Sequence, residues 1–408
     1  MKNIYQFLYV AFSLCTTTNP LHSQWVQSNG PPTNTGFVRA LAVSGANLFA
    51  GNDGGNGIFL STDNGTSWTA VNTGLSEKYI EALAVRGAEI FAGTGGGGVF
   101  HSSNNGTSWT PVDSGLTNLT VWSFGVSGAN LFAGTAGGIF LSIDNGISWT
   151  PASIGLTNSD VRTFAVIGAN LFAGTLGGGV FLSTNNGTSW NAASTGLTNT
   201  DVTCLAAIGT NLFAGTFGGR VFLSTNNGAN WNPASSGMTY FLIYSLVASG
   251  SSLFAGTIGG VFLSTNNGAG WTQVNSGLTD IPVSLAISGT TLFAGTDTNR
   301  VWRRPLSEMI TSVEELSTGL PTYYSLNQNY PNPFNPSTTI SFSLPSRSFV
   351  SLNIFDVLGR NVTSLLSEEL ASGTHSRQWS PHESPSGVYF YRLQAGAFTQ
   401  TKKLILLR

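Results

Sequence analysis

The tripeptide Phe-Ala-Gly recurs seven times in this 408-residue chain, at intervals of about 41 residues. The copies begin at Phe49, Phe91, Phe132, Phe172, Phe213, Phe254 and Phe293. Six of them are followed by a tryptophan at a similar distance, namely Trp68, Trp109, Trp149, Trp190, Trp231 and Trp271. A period of this length indicates one supersecondary unit repeated along the chain, with each copy burying its faces against its neighbours.

Each repeat is predicted to contain four short β-strands. In the copy from Val161 to Leu197, alternating β-forming residues predict a first strand at 161–166 and a second at 171–174. A glycine-rich loop leads to a third strand at 180–183. Asn186-Gly187 can supply the positive φ angles of a tight hairpin, and a fourth strand is predicted at 188–192. Four antiparallel strands in one period predict a blade of an all-β propeller.

The hairpin between the third and fourth strands carries the pattern Ser-x-Asp-x-Gly-x-x-Trp. It occurs as Ser61-Asp63-Gly65-Trp68 and as Ser142-Asp144-Gly146-Trp149, and with asparagine in place of aspartate before Trp109, Trp190, Trp231 and Trp271. The pattern resembles the Asp-box, or BNR, repeat of sialidases, sortilin-type receptors and photosystem II assembly-factor-like propellers. We expect a structural role, in which the Asp or Asn side chain bonds backbone N–H groups of its turn and the Trp holds the hairpin on its blade. Four of the six hairpins lack the carboxylate, so the pattern does not predict a metal-binding loop.

The seventh repeat, from Pro282 to Leu306, lacks both the hairpin pattern and a fourth strand. The segment Gln24 to Gly30 matches the outline of 270–277, and its Trp25 precedes Trp68 by 43 residues. We therefore expect the mature N-terminus to supply the missing strand. This would close a seven-bladed propeller over residues 24–308 and remove its free sheet edges.

Residues 1–23 have the pattern of a secretory signal peptide. Lys2 precedes an apolar run of 12 residues from Ile4 to Cys15, and Ser23 offers a small residue for cleavage. A buried strand is the alternative, and the run is too short to span a bilayer stably. After cleavage Cys204 is the only cysteine, which excludes an internal disulfide.

The repeat period ends before a polar linker at 309–321, and short alternating runs then predict an immunoglobulin-like β-sandwich at 322–408. Its ordered motifs are Tyr330-Pro331-Asn332-Pro333-Phe334-Asn335-Pro336, Asp356-Val357-Leu358-Gly359-Arg360, Ser386-Gly387-Val388-Tyr389 and Lys402-Lys403-Leu404-Ile405. This set is similar to the type A C-terminal sorting domain of the type IX secretion system, also called the Por secretion tail. The resemblance implies recognition by the outer-membrane secretion machinery and export to the cell surface or the medium. An ordinary accessory domain of the same fold is the alternative.

Few side chains in the sequence are suited to chemistry. Only 8% of residues are charged and the net charge is −2, which gives no reason to expect a nucleic-acid partner. Two cysteines and four scattered histidines do not predict a metal site. The sequence contains neither a Gly-x-Ser-x-Gly elbow nor a phosphate loop. We assign no catalytic residue and expect no cofactor.

The likeness to sialidases raises an enzymatic alternative. Sialidases are six-bladed and carry an arginine triad, a Phe-Arg-Ile-Pro motif and a Tyr-Glu pair. Phe-Arg-Ile-Pro is absent here, and we find no convincing Tyr-Glu pair to accompany Arg39, Arg162, Arg220 or Arg300. A carbohydrate-active enzyme of sialidase type, a glycoside hydrolase, therefore stays as the alternative function.

One position of the first strand changes from repeat to repeat while its strand neighbours stay small or apolar. From the first repeat to the last it is Arg39, Glu81, Trp122, Arg162, Thr203, Tyr244 and Val283. The glycine-rich loops and the blade-to-blade loops also vary, and these positions share one face because strands alternate in direction. A scaffold that repeats with one face that does not is the usual arrangement for binding, although drift at exposed positions is the alternative.

We expect this face to bind a peptide or a glycan. The candidate contacts are Arg39, Glu81, Trp122, Arg162, Tyr244, Asp160, Asp201 and Phe217. The favoured function is a monomeric, non-enzymatic binding or structural propeller outside the cell.

Overall fold

The computed structural model describes residues 24–32, 35–218, 220–240, 242–310, 324–329, 332–381, 384–396 and 398–407. The predicted signal peptide and residues 311–321 of the predicted linker lie outside the described residues. The chain divides into two compact units, Met1–Ile310 and Thr311–Arg408.

The described part of the first unit forms seven antiparallel sheets of four strands each. The first strands are β2 (Val38–Ser44), β6 (Ile80–Arg86), β10 (Val121–Ser127), β14 (Val161–Ile167), β18 (Val202–Ile208), β22 (Ile243–Ser249) and β26 (Pro282–Ser288). The second strands are β3 (Asn47–Asn52), β7 (Glu89–Thr94), β11 (Asn130–Thr135), β15 (Asn170–Thr175), β19 (Asn211–Thr216), β23 (Ser252–Thr257) and β27 (Thr291–Thr296). The third strands are β4 (Gly57–Ser61), β8 (Val99–Ser102), β12 (Gly138–Ser142), β16 (Gly179–Ser183), β20 (Val221–Ser224), β24 (Gly260–Ser264) and β28 (Val301–Pro305). The fourth strands are β5 (Thr69–Ala70), β9 (Thr110–Pro111), β13 (Thr150–Pro151), β17 (Asn191–Ala192), β21 (Asn232–Pro233), β25 (Thr272–Gln273) and β1 (Val26–Gln27).

The first strands contact one another in order around a closed ring, and β26 contacts β2. The first strands are therefore the innermost ones, and the sheets are the blades of a β-propeller. The second strands are buried almost throughout, because the Phe and Ala of each Phe-Ala-Gly pack between neighbouring blades. The glycine has no side chain, so the first strand of the next blade can lie directly against it. A Cβ on Gly93, for example, would lie 2.7 Å from a methyl group of Val121. The repeated tripeptide thus sets the distance between blades.

The hairpin between third and fourth strands is a compact hydrogen-bonded unit. In the first blade, Gly65 N donates to Ser61 Oγ at 2.9 Å, and Ser61 Oγ donates to Asp63 Oδ1 at 2.8 Å. The carboxylate also accepts from Ser67 N at 2.9 Å and from Ser67 Oγ at 2.6 Å. These bonds lower the pKa of Asp63 to about 2. An asparagine serves equally well, since its amide keeps the acceptor and donates to the second serine, as Asn185 does to Ser189 at 2.8 Å.

The tryptophan of each hairpin joins two blades. Trp190 N donates to Ile154 O at 2.8 Å, and its Nε1 donates to Ala152 O at 2.8 Å, both in the preceding blade. The ring packs in one cluster with Phe132 and Ile139 of that blade. Trp190 is therefore an interblade contact, whereas the sequence suggested a contact within its own blade. It also lies outside the fourth strand, which begins at Asn191 rather than at 188. Thr188 N and Ser189 N bond Asn185 within the hairpin, and Trp190 N bonds the preceding blade.

The N-terminal strand β1 is the outermost strand of the last blade. It pairs antiparallel with β28, with Val26 opposite Arg303 and Gln27 opposite Trp302. Trp25 is 3% exposed and repeats the bonds of the hairpin tryptophans: its N donates to Ser276 O at 2.8 Å and its Nε1 to Val274 O at 2.7 Å. The first and last strands of the propeller therefore meet in one sheet. A short 3₁₀ helix, Leu306–Glu308, follows β28.

The second unit is a β-sandwich. Its strands are β29 (Ser325–Leu326), β30 (Thr338–Leu344), β31 (Ser348–Phe355), β32 (Asn361–Leu370), β33 (Gly373–Trp379), β34 (Gly387–Ala395) and β35 (Phe398–Leu406). One sheet has the order β29-β30-β33 and the other β32-β31-β34-β35. Alternate residues of both sheets, such as Phe342 and Tyr391, enter one buried core. The alternating runs in the sequence, at 338–344, 350–355, 388–393 and 401–407, correspond to β30, β31, β34 and β35, whereas β29, β32 and β33 were not predicted.

Candidate functional site

Every first strand of the propeller has a β-bulge at its second residue. In the first blade the register passes from Val38 opposite Asn52 to Ala40 opposite Gly51, so Arg39 is left without a partner in the ladder. The same shift occurs in the other six blades. The bulged residues are Arg39, Glu81, Trp122, Arg162, Thr203, Tyr244 and Val283. A bulge redirects the side chain of the bulged residue. The residue type at this position can therefore vary without disturbing the hydrogen bonds between the first and second strands.

The glycine-rich loops lie beside these bulges. Asp53 N donates to Phe37 O at 3.1 Å, and Leu176 N donates to Asp160 O at 2.9 Å, so each loop is bonded to the segment that enters its own first strand. Phe217 N bonds Asp201 O in the same way at 2.9 Å. We call the seven bulged residues, together with these loop and entry residues, the variable face. The hairpins carrying the tryptophans lie at the opposite ends of the strands.

Three charged side chains converge at the junction of the first two blades. Arg39 Nε lies 2.8 Å from Asp53 Oδ2 and 3.9 Å from Glu81 Oε2. Glu81 is largely buried, and this burial raises the pKa of its carboxyl; Arg39 opposes the shift and Asp53 adds to it. The positive charge of Arg162, two blades away, also acts on Glu81. The bulged residues therefore lie close enough to share one electrostatic environment.

Trp122 and Arg162 form a stacked pair on the neighbouring blades. The guanidinium carbon of Arg162 lies 4.1 Å from the centre of the Trp122 ring, within the range of a cation–π contact. Asp160 holds the guanidinium from the side, with Oδ1 at 2.7 Å from Nε and Oδ2 at 2.8 Å from Nη2. Trp122 Nε1 is buried and has no hydrogen-bond acceptor among the described residues. The pair is thus a fixed aromatic and cationic surface.

The remaining candidates are more dispersed. Tyr244 makes no contact with the stacked pair, but Arg39 and Asp297 both influence its hydroxyl, whose pKa is raised mainly by burial. Phe217 is 52% exposed and is joined to Asp201 only by the backbone hydrogen bond described above. The structure thus brings Arg39 and Glu81 together and Trp122, Arg162 and Asp160 together. It does not place Asp201 or Phe217 in contact with either group.

Two acidic residues at varying loop positions, Asp53 and Asp280, were not among the candidate contacts but also belong to this face. Asp53 is the principal partner of Arg39 and also accepts from Phe37 N at 2.6 Å. Asp280 accepts from Trp302 Nε1 at 2.9 Å and from Thr298 Oγ1 at 2.6 Å, and these bonds lower the pKa of its carboxyl against the effect of burial. The sequence signal for both residues was their place in loops that vary from repeat to repeat, whereas the bulge that brings Asp53 to Arg39 is visible only in the strand pairing.

Glutamine at position 81 should stabilise the propeller at neutral pH. The folded-state pKa of Glu81 lies above its unfolded value, so the protonated carboxyl favours folding and this contribution is lost as the pH rises through the folded pKa. We expect Glu81→Gln to have a higher melting temperature than the wild type at pH 7, with the difference shrinking towards pH 4. Thermal melts at both values test this. Glu77→Gln is the control, because it removes a charge from a half-buried loop position and keeps the acceptor for Lys78 N and Tyr79 N. A lower melting temperature for Glu81→Gln at pH 7 would contradict the assignment.

Metal and thiol chemistry have little support in the described part of the chain. No group of three or more His, Cys, Asp or Glu side chains there could hold a metal ion. Cys204 is buried, and burial raises the pKa of its thiol to about 12, so it is a poor nucleophile. Among the described residues no helix is both long and apolar enough to cross a membrane.

Comparison with solved structures shows many propellers of the same fold. A structure of YCF48 bound to D1 peptide is 14% identical, covers 70% of this chain and 97% of its own, and has a TM-score of 0.55. The corresponding values for a GH74 xyloglucanase from Xanthomonas campestris are 16% identity, 70% of this chain, 54% of that chain and a TM-score of 0.56. No curated protein sequence matches.

A third structure shares more of the chain. PorZ, a surface component of the type IX secretion system of Porphyromonas gingivalis, is 16% identical, covers 93% of this chain and gives a TM-score of 0.52. The chain spans 60% of the length of PorZ. At these identities the likeness shows the fold alone.

Each of the two units matches a protein-family model. Residues 328–407 match the secretion system C-terminal sorting domain, which places the protein at the cell surface or in the extracellular space. Residues 19–170 and 171–302 match the DUF6242 beta propeller domain. The fold class predicted from the repeats and the sorting tail predicted from its motifs are both confirmed. The chain therefore belongs to the DUF6242 β-propeller family and carries a type IX secretion sorting domain at its C-terminus.

Proposed function

We propose that this exported propeller is a non-enzymatic binding module and that its variable face holds a segment of peptide or glycan. The observation that carries the proposal is the stacked pair of Trp122 and Arg162, fixed by Asp160 at 2.7 Å. An arginine that is held in place before binding loses little conformational entropy when it meets a ligand. An indole beside it offers contact area.

A peptide is the favoured ligand class. The half-buried Trp122 ring offers a surface to an apolar side chain of an extended peptide. The charged side chains of the variable face can select residues on either side. YCF48, whose propeller has the same fold, has been solved with a peptide bound. A glycan would use the same indole as a stacking surface, so a peptide array and a glycan array should be screened side by side.

Alanine at Trp122 or Arg162 should weaken binding of the hit by roughly 1–4 kcal/mol, the range of interface hot spots, with little loss of stability. Calorimetry with the array hit measures the first quantity, and thermal melts measure the second. Ile147→Ala is a matched control, since Ile147 is an exposed apolar side chain on the opposite face, 66% exposed. Normal binding by both Trp122→Ala and Arg162→Ala would contradict the proposal.

A glycoside hydrolase is the second candidate. A buried carboxyl with a raised pKa, such as that of Glu81, is suited to act as a general acid, and Asp53 lies near it as a second carboxyl, since both contact Arg39 Nε. The fold is also that of the GH74 xyloglucanase. Hydrolysis of xyloglucan or of a fluorogenic sialoside by the wild type, abolished in Glu81→Gln, would favour this candidate over the first.

A further inference from the structure

The sorting domain has an apolar stripe on the solvent side of its four-stranded sheet. Phe355 of β31 lies opposite Phe390 of β34, and Val388 lies opposite Ile405 of β35. The strand neighbours of these residues that fill the core are Ile354, Tyr389, Tyr391, Leu404 and Leu406. Because side chains alternate between the two faces of a sheet, Phe355, Val388, Phe390 and Ile405 face outward together. Val388 is 36% exposed.

The turn after β31 extends this stripe. Val357 and Leu358 are 65% and 73% exposed, among the most exposed apolar side chains of the described residues. Their turn is nevertheless well ordered: Asp356 Oδ1 accepts from Leu358 N and Arg360 N at 2.9 Å, and Arg360 Nε lies 2.6 Å from Asp356 Oδ2. The turn thus holds two apolar side chains in water at the end of the sheet. We call Phe355, Val357, Leu358, Val388, Phe390 and Ile405 the docking stripe.

Unmatched positive charge borders the docking stripe. The guanidinium of Arg392 lies over the Phe355 ring at 4.9 Å, and Lys403 pairs across the sheet with Phe390. Neither cation has an ion-pair partner among the described residues. Elsewhere in the same domain, arginines are neutralised, as in the pair of Arg347 with Glu369 at 2.7 Å. The two cations beside the stripe are therefore available to an acidic partner.

We propose that the docking stripe is the surface by which the sorting domain binds the secretion machinery, and that the machinery presents an apolar surface with an acidic border. The inference rests on the export role of residues 328–407. A contiguous exposed apolar patch with a polar border is typical of a protein–protein contact. Aromatic anchors would supply most of its affinity, and Arg392 and Lys403 would steer the encounter.

Export of the full-length chain from a type IX-competent bacterium tests the proposal. One variant combines Val357→Ser with Leu358→Ser, and a second combines Arg392→Glu with Lys403→Glu. We expect each to lower the exported fraction about tenfold or more, with the chain retained in the periplasm. The controls are Phe349→Ser, which removes a 59%-exposed side chain from the other end of the same face of β31, and Arg347→Glu. Both controls should be exported normally.

The other outcomes are also decisive. Deleting residues 322–408 separates the surface from the sorting role: if the deletion blocks export while both stripe variants leave normally, the stripe is refuted and the sorting role stands. Export of the deleted chain would refute both. Thermal melts of the purified full-length variants exclude misfolding, and the charge variant changes only exposed side chains. If the serine variant alone lowers the melting temperature, the stripe is covered within the chain itself and the proposal is overturned.

Discussion

Deleting Gln24–Asn29 should lower the melting temperature by roughly 5–15 °C, which corresponds to a loss of several kcal/mol. The deletion removes the 3%-exposed Trp25 from its cluster with Phe254, Leu292 and Trp302. It leaves Ser276 O and Val274 O without the donors that now lie at 2.8 and 2.7 Å. It also exposes β28 as a sheet edge.

Calorimetry on the purified protein measures this effect, and Val26→Ser is the matched control. Val26 lies in the same strand but is 54% exposed, so its loss should change little. An unchanged melting temperature after the deletion would mean that the strand contributes nothing to the closed ring. Light scattering should also show association of the deleted protein, since an unpaired strand edge can pair with another chain.

Trp190→Ala should destabilise the propeller by roughly 3–5 kcal/mol, as expected for a large core aromatic. The side chain is 2% exposed and its Nε1 donates to Ala152 O, which would be left buried and unpaired. The main chains of the two blades are in close contact here: Gly155 has a φ of 89°, and a Cβ on it would be 2.1 Å from Trp190 O.

Trp122→Ala is the natural comparison, since it removes the same side chain from the variable face. Chemical denaturation of the two variants should show a large loss of unfolding free energy for Trp190→Ala and a small one for Trp122→Ala. Equal losses would mean that Trp122 is a structural residue and would remove the basis of the proposed binding site. Equal and small losses would contradict the interblade role of Trp190.

The repeat made the fold predictable, because seven similar segments must adopt similar structures and each prediction is supported seven times. Even the N-terminal strand next to Trp25 could be predicted, because the seventh repeat lacks its fourth strand and a matching segment occurs at the start of the propeller. Contacts between repeats were not predictable in the same way. Trp190 bonds the preceding blade rather than its own, and this depends on the distance between blades, which the sequence does not state.

The candidate site was only partly predictable for the same reason. Variation along the first strands marked Arg39, Glu81 and Arg162, but not which of them meet. Asp53 was recognised as a varying loop residue but not as a candidate contact, because its pairing with Arg39 depends on a loop folding back beside a bulge. A bulge changes the pairing of the backbone by a single residue, and an alternating sequence pattern carries no trace of such a shift.

The bond between Trp25 and Val274 joins residues 249 positions apart, so the ring is closed by the earliest and the latest parts of the propeller to be made. Closing a flexible loop of that length costs about 5 kcal/mol in chain entropy, so this contact forms after the intervening blades have folded. A chain that ends before Val301 has nothing for β1 to pair with. The ring can therefore close only after the whole propeller has been synthesised. A truncated chain keeps an unpaired sheet edge that proteases and chaperones can recognise.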